Sequence, residues 1–221
     1  MQKFDTTAPV LAVLAIPAGR VQFIAADRAD TTVEVRPADA SKNRDVKAAE
    51  QIEVVYGDGV VRVTAPEAKN QLFGPSGAVE VTVQLPTGSR VEAKAAGVEL
   101  RVVGSLGDLS FDGAYRQTKI DEAASIRLTA VDGDVEIGRL GGSADISTAR
   151  GDIRIDEAGR GTLDLRTDSG DITVAVAAGV SAALDAGTSH GRIDNALKND
   201  GSAELTIRAT TSNGDITARS L

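Results

Sequence analysis

One glycine-centred motif recurs five times in the second half of the chain and limits the fold more than any other feature. Aligned on that glycine, it reads Val131-Asp132-Gly133-Asp134-Val135-Glu136-Ile137, then Ala149-Arg150-Gly151-Asp152-Ile153-Arg154-Ile155. The remaining copies are Asp168-Ser169-Gly170-Asp171-Ile172-Thr173-Val174, Ser189-His190-Gly191-Arg192-Ile193-Asp194-Asn195 and Ser212-Asn213-Gly214-Asp215-Ile216-Thr217-Ala218. Glycines at 133, 151, 170, 191 and 214 are spaced by 18, 19, 21 and 23 residues. A period of that size signals stacked units, none of which can bury its apolar face alone.

Within each unit the apolar residues alternate. Two residues after the glycine stand Val135, Ile153, Ile172, Ile193 and Ile216; four after stand Ile137, Ile155, Val174, Asn195 and Ala218. Polar residues fall between, as in a strand with one buried face. A second alternating run precedes each glycine: Leu128, Ile146, Leu165, Ala186 and Ala209 at minus five, with Ile126, Ala144, Leu163, Leu184 and Ile207 at minus seven. The glycines Gly133, Gly151, Gly170, Gly191 and Gly214 are turn residues. So are Asp134, Asp152, Asp171 and Asp215, whose carboxylates are expected to satisfy amides of their own turns.

Two short strands per unit with no room for a crossover helix predict an all-β chain. The specific expectation is a single-stranded parallel β-helix, a solenoid whose coils stack in sequence order at about 4.8 Å. A sandwich of antiparallel strands is the competing architecture, but only parallel stacking in register explains why like positions match. Residues 91–221 are assigned to the repeats, and 1–90 to an N-terminal β-rich cap or sandwich-like segment. Within that segment, strands are expected at Val10–Ile16, Arg20–Ala25, Thr31–Arg36, Ile52–Tyr56, Val60–Thr64 and Ala78–Leu85. Asp58-Gly59 marks a hairpin turn, and Asp39–Glu50 a polar loop with one helical turn. Pro66–Gly77 reads as a mobile loop, and Asp112–Ala123 as an insertion between repeats.

Leu85-Pro86-Thr87-Gly88-Ser89, followed by iterated Ser/Thr-x-x-Gly-Asp-Ile/Val-x-Ile/Val, resembles the bacterial adhesin-like β-strand-repeat family, a domain of unknown function. The resemblance covers nearly the whole chain. It implies an N-terminal β segment leading into a parallel β-helix, and it carries no catalytic residues. Gly191-Arg192 and Asn195 depart from the pattern, so that coil is expected to be the least regular.

Net charge −8 and the absence of cysteine narrow the chemistry. An acidic chain is a poor match to nucleic acid or an anionic membrane, and no thiolate site or disulfide is available. No apolar run approaches the ~20 residues of a membrane-spanning helix. Val10–Ile16 could serve as a leader's apolar stretch, but Met1–Asp5 is barely basic. A strand there, and a cytoplasmic location, are expected.

No nucleophile elbow, phosphate loop or dinucleotide fingerprint is present, and the one histidine, His190, lacks a second ligand or nucleophile. No cofactor is expected. Asp145, Asp164 and Asp185 should stack on one outward face, bracketed by Arg127 and Arg208, as a speculative acidic binding surface. The chain stops on its last coil, so Ile216, Ala218 and Leu221 are expected to form a bare, self-associating end. The function expected is a non-catalytic, adhesin-like scaffold that binds a protein partner or itself. The alternatives are a carbohydrate-active enzyme of the polysaccharide-lyase or glycosidase type, which rests on fold analogy, and a divalent-cation-binding surface protein.

Overall fold

A computed structural model describes residues 1–66 and 77–221, so nearly all of the loop expected at Pro66–Gly77 lies outside the described residues. The elements run β1 (Gln2–Asp5), β2 (Leu11–Ala26), β3 (Asp30–Pro37), α1 (Asn43–Glu50), β4 (Glu53–Gly57), β5 (Val60–Thr64) and β6 (Val79–Pro86). A long extended segment, β7 (Arg90–Asp132), which turns at Gly104 and Gly113 (φ 82° and 103°) and stacks on itself, leads into β8 (Val135–Leu140), β9 (Ala144–Arg150), β10 (Ile153–Ala158), β11 (Gly161–Ser169) and β12 (Ile172–Val176). The chain ends with β13 (Ala182–His190), β14 (Ile193–Ala196), β15 (Leu205–Asn213) and β16 (Ile216–Ser220). The protein is all-β around one aliphatic core.

The motif forms rungs. Strands before each glycine pair in parallel with one another, and strands after it do likewise. Ile153 lies beside Val135 on one side and Ile172 on the other, and Leu165 sits between Ile146 and Ala209. Val135, Ile137, Ile153, Ile155, Ile172 and Val174 are buried. The alternation therefore builds continuous aliphatic columns, in which each fully buried Val, Leu or Ile contributes about 1.5–3 kcal/mol. The expected insertion Asp112–Ala123 is instead part of β7. Its second half is the rung strand beside β8, with Thr118 opposite Val135 and Ile120 opposite Ile137.

Stacking does not follow sequence order. One row runs β9, β11, β15, β13, and the other β8, β10, β12, β16, β14. The last coil of the chain is thus inserted between two coils made before it. Ile216 faces Ile172 on one side and Ile193 on the other. Rungs written with one motif can pair in any order, which is why periodicity alone does not reveal the interleaving.

The N-terminal region shares this stack. Its first strand half, Leu11–Ala15, pairs in parallel with Arg90–Lys94, and Gly19–Ile24 pairs with Val98–Val103. Thus the two strands expected at Val10–Ile16 and Arg20–Ala25 are one continuous element. The Leu-Pro-x-Gly-Ser run splices it to β7: the Ser89 hydroxyl donates to the Pro86 carbonyl at 2.6 Å and accepts the Val10 N–H at 3.0 Å. Beyond it the pairing turns antiparallel, β3 on β6 and β1 on β3 in one row, β4 on β5 in the other. The β4–β5 hairpin turns on Asp58 and Gly59, at φ 53° and 73°, as the Asp-Gly pair predicts. Phe4 of β1 and Tyr56 of β4 meet with ring centroids 5.3 Å apart, bridging the two rows at this end. Strand β1 was not expected, and α1 is longer than the single turn expected.

Candidate functional site

The repeated turns form a polar staircase on one corner of the stack. Each turn aspartate accepts a backbone N–H from the turn of the next rung, not from its own. Asp134 takes the Asp152 N–H at 2.9 Å, Asp152 that of Asp171 at 2.8 Å, and Asp171 that of Asp215 at 2.7 Å. Asp215 then takes the Arg192 N–H at 2.8 Å. This corrects the expectation of self-contained turns: parallel stacking brings the neighbouring amide within reach of the carboxylate. The staircase also records the interleaved order and stops at Arg192. Its guanidinium folds back onto Asp215 at 2.7 Å and holds that carboxyl below the usual range.

Threonines three residues before the glycine run beside this staircase. Thr167 donates to the Gly151 carbonyl at 3.1 Å, Thr211 to Gly170 at 3.0 Å, and Thr188 to Gly214 at 3.0 Å. Glycine is required at the turn because rungs approach backbone to backbone. A Cβ at Gly151, where φ is +125°, would collide with the Gly133 carbonyl. Gly133, Gly151, Gly170, Gly191, Gly214 and the four aspartates are therefore joints between rungs.

The proposed acidic column takes a different form. Asp145 lies beside Arg127 and Asp164, but Arg208 stands between Asp164 and Asp185. Three stacked carboxylates with arginines outside are therefore replaced by the order Arg127, Asp145, Asp164, Arg208, Asp185. The inserted coil breaks up the like charges that would oppose one another. Arg208 reaches Asp164 at 3.3 Å and Arg127 reaches Asp145 at 3.9 Å.

The expected bare end also moves. Ile216 and Ala218 are buried, 1% exposed each, because β14 covers them. Leu221 is half exposed and donates its N–H to the Val176 carbonyl at 2.9 Å. The terminal rung is β13–β14, with Ile193 at 47% exposure and Asn195 in its inward row. His190 sits on this rung, opposite Asn213.

A shallow groove of about 510 Å³ crosses the starts of successive rungs on the opposite corner. Arg90, Asp108, Ser125, Asp145 and Asp164 are among its walls. Arg90 pairs with Asp108 at 3.3 Å, and the Ser125 hydroxyl donates to the same carboxylate at 2.7 Å. Its walls include repeat positions, Asp145 and Asp164 six residues and Ser125 eight residues before their glycines, but periodicity alone does not report that these rung starts enclose a groove. Among the described residues, no group of three or more His, Asp or Glu is placed to hold a metal ion, and no helix is long and apolar enough to cross a membrane.

A family model described as Toastrack DUF4097 matches residues 13–219. Among solved structures, a candidate adhesin of Bacteroides fragilis shares 13% identity over 98% of this chain and 95% of its own, with a TM-score of 0.52. A candidate cell adhesion protein of Clostridium sporogenes shares 11% identity over 100% of this chain and 99% of its own, with a TM-score of 0.37. No curated protein matches significantly. The first likeness supports the fold alone.

Proposed function

This chain belongs to the Toastrack DUF4097 family, and on that premise we propose that it is a non-catalytic interaction scaffold, adhesin-like in use, which also associates with itself. In the same proposal, residues 91–221 form a parallel β-helix and residues 1–90 work as its cap. One observation carries the proposal. The polar groups of the repeat are spent on joining rungs, aspartate to amide, threonine to carbonyl and arginine to aspartate. Such a molecule offers a long, stiff, charged surface rather than a convergent reactive centre. The candidate adhesin of Bacteroides fragilis among its structural neighbours agrees with this reading. Cytoplasmic residence is part of the proposal; Val10, Ala12, Leu14 and Ile16 are core residues of the stack.

Light scattering of the full chain across a concentration series tests self-association, and a mass that stays monomeric at every concentration contradicts it. Capture of a partner from the source cells should weaken when Asp108, Asp145 and Asp164 are all changed to Asn. The groove favours one second reading, a carbohydrate-active enzyme, because Asp145 and Asp164 line it from neighbouring rungs. New reducing ends or unsaturated products released from acidic polysaccharides, and lost in that triple variant, would establish catalysis in place of the scaffold.

A further inference from the structure

The C-terminal coil fills a gap whose two walls both come earlier in the chain. β12 and β14 flank β16, while β11 and β13 flank β15. Leu205, Ile207, Ala209, Ile216 and Ala218 of the coil are all buried in that gap. The polar staircase is complete only with the coil in place, since Asp171 and Arg192 are joined through Asp215. The connection feeding the coil, residues 198–204, is exposed throughout, with Gly201 at φ +98°. Ser181 pins it: its hydroxyl accepts the Asp200 N–H at 3.1 Å, and its carbonyl accepts the N–H groups of Glu204 and Leu205.

We infer that the coil Leu205–Leu221 is an exchangeable rung, which a second copy of this chain receives in its own gap to give a reciprocal dimer. The inference rests on the self-association proposed above and names its segment and mechanism. Every contact the coil makes in its own molecule is available in identical form in the partner, in the same register and with the same staircase. Only the path of residues 198–204 changes, so exchange sacrifices few contacts, and such exchange is a low-cost route to dimers. The walls fit this coil closely, because glycine at 214 is what permits seating against the Gly170 carbonyl.

Thr162 and Thr206 are register partners on β11 and β15, and the chain has no cysteine of its own. Full-length Thr162→Cys and Thr206→Cys proteins, unfolded, mixed, refolded together at high concentration and then oxidised, should yield a disulfide dimer containing one of each. Mixing them only after folding should yield none. The full-length double variant, oxidised as a folded monomer, should remain monomeric when concentrated. Removing Asn199 and Asp200, which shortens the connection, should move the monomer–dimer balance of the cysteine-free chain toward dimer at a given concentration. Dimers that form equally well in the oxidised double variant, or that never cross-link between the two single variants, would overturn exchange while leaving self-association standing. A monomer under all of these conditions would overturn both.

Discussion

The two ends of the stack solve one problem in different ways. At the N-terminal end, the parallel order gives way to antiparallel strands β1, β3 and β4, and Phe4 and Tyr56 bridge the rows with an aromatic pair. At the other end the repeat continues to its last rung, and only the residues change. The staircase position holds Arg192 instead of Asp, the inward column holds Asn195 instead of an aliphatic residue, and Ile193 is 47% exposed. Each glycine-turn rung from Asp134 to Asp215 offers its carboxylate to the amide of the rung beyond it, and the rung of Arg192 has none to receive among the described residues. The first end is therefore closed by new structure, the second by editing the motif, which also leaves it the weaker end against competing strands.

The sharpest break in this comparison should come from truncating equivalent isoleucines. Ile172→Ala, between two covered rungs, should cost about 2–5 kcal/mol in denaturant unfolding, whereas Ile193→Ala at the end should cost under about 1 kcal/mol because half of its side chain is already in water. Equal losses would mean that β13–β14 is an interior rung. Opening the other end is expected to matter less: Phe4→Ala combined with Tyr56→Ala should reveal a coupling of about 0.5–1.5 kcal/mol in a double-mutant cycle. Asp171→Ala removes the acceptor for Asp215 and should cost about 1 kcal/mol, while Arg192→Ala, with no rung beyond it, should leave the melting temperature nearly unchanged.

Acid should have the mildest effect. Hydrogen bonds from Arg28 and Lys3 hold the Asp30 carboxyl down at about 2, and those from Ser41 and Lys42 do the same for Asp39. Lys119 and Arg192 lower Glu136 and Asp215. A depressed folded-state pKa contributes stability that is present above the unfolded value and lost as pH falls through the folded one. The melting temperature should therefore hold steady above about pH 4 and decline toward about pH 2, less steeply in high salt because most of these pairs are exposed.

Much of the architecture was legible in the chain itself. The alternation around each glycine gives both strands of every rung, and equivalent residues do stack, Ile153 on Ile172. The order of the rungs was not legible, because hydrophobic columns of like residues accept any neighbour. That hid the break in the acidic column by Arg208, and it moved Ile216 and Ala218 from an end to the interior. The clue was present at Gly191-Arg192: of the five glycine turns, the one without Asp belongs to the rung that has no further rung beside it among the described residues. Strand β1 carries no repeat, and the groove, though Asp145 and Asp164 are repeat positions, is a concavity that periodicity does not report.

The central claim is that the final coil separates the coils of Gly170 and Gly191. Paired cysteines on the outward column of β12, β16 and β14 measure it directly, since neighbouring rungs lie about 4.8 Å apart and alternate rungs about twice that, beyond disulfide reach. The interleaved order predicts rapid intramolecular disulfide formation for Thr173→Cys with Thr217→Cys, and none for Thr173→Cys with Asp194→Cys. Closure of the second pair, with the first left open, would put the rungs back in sequence order and contradict the account.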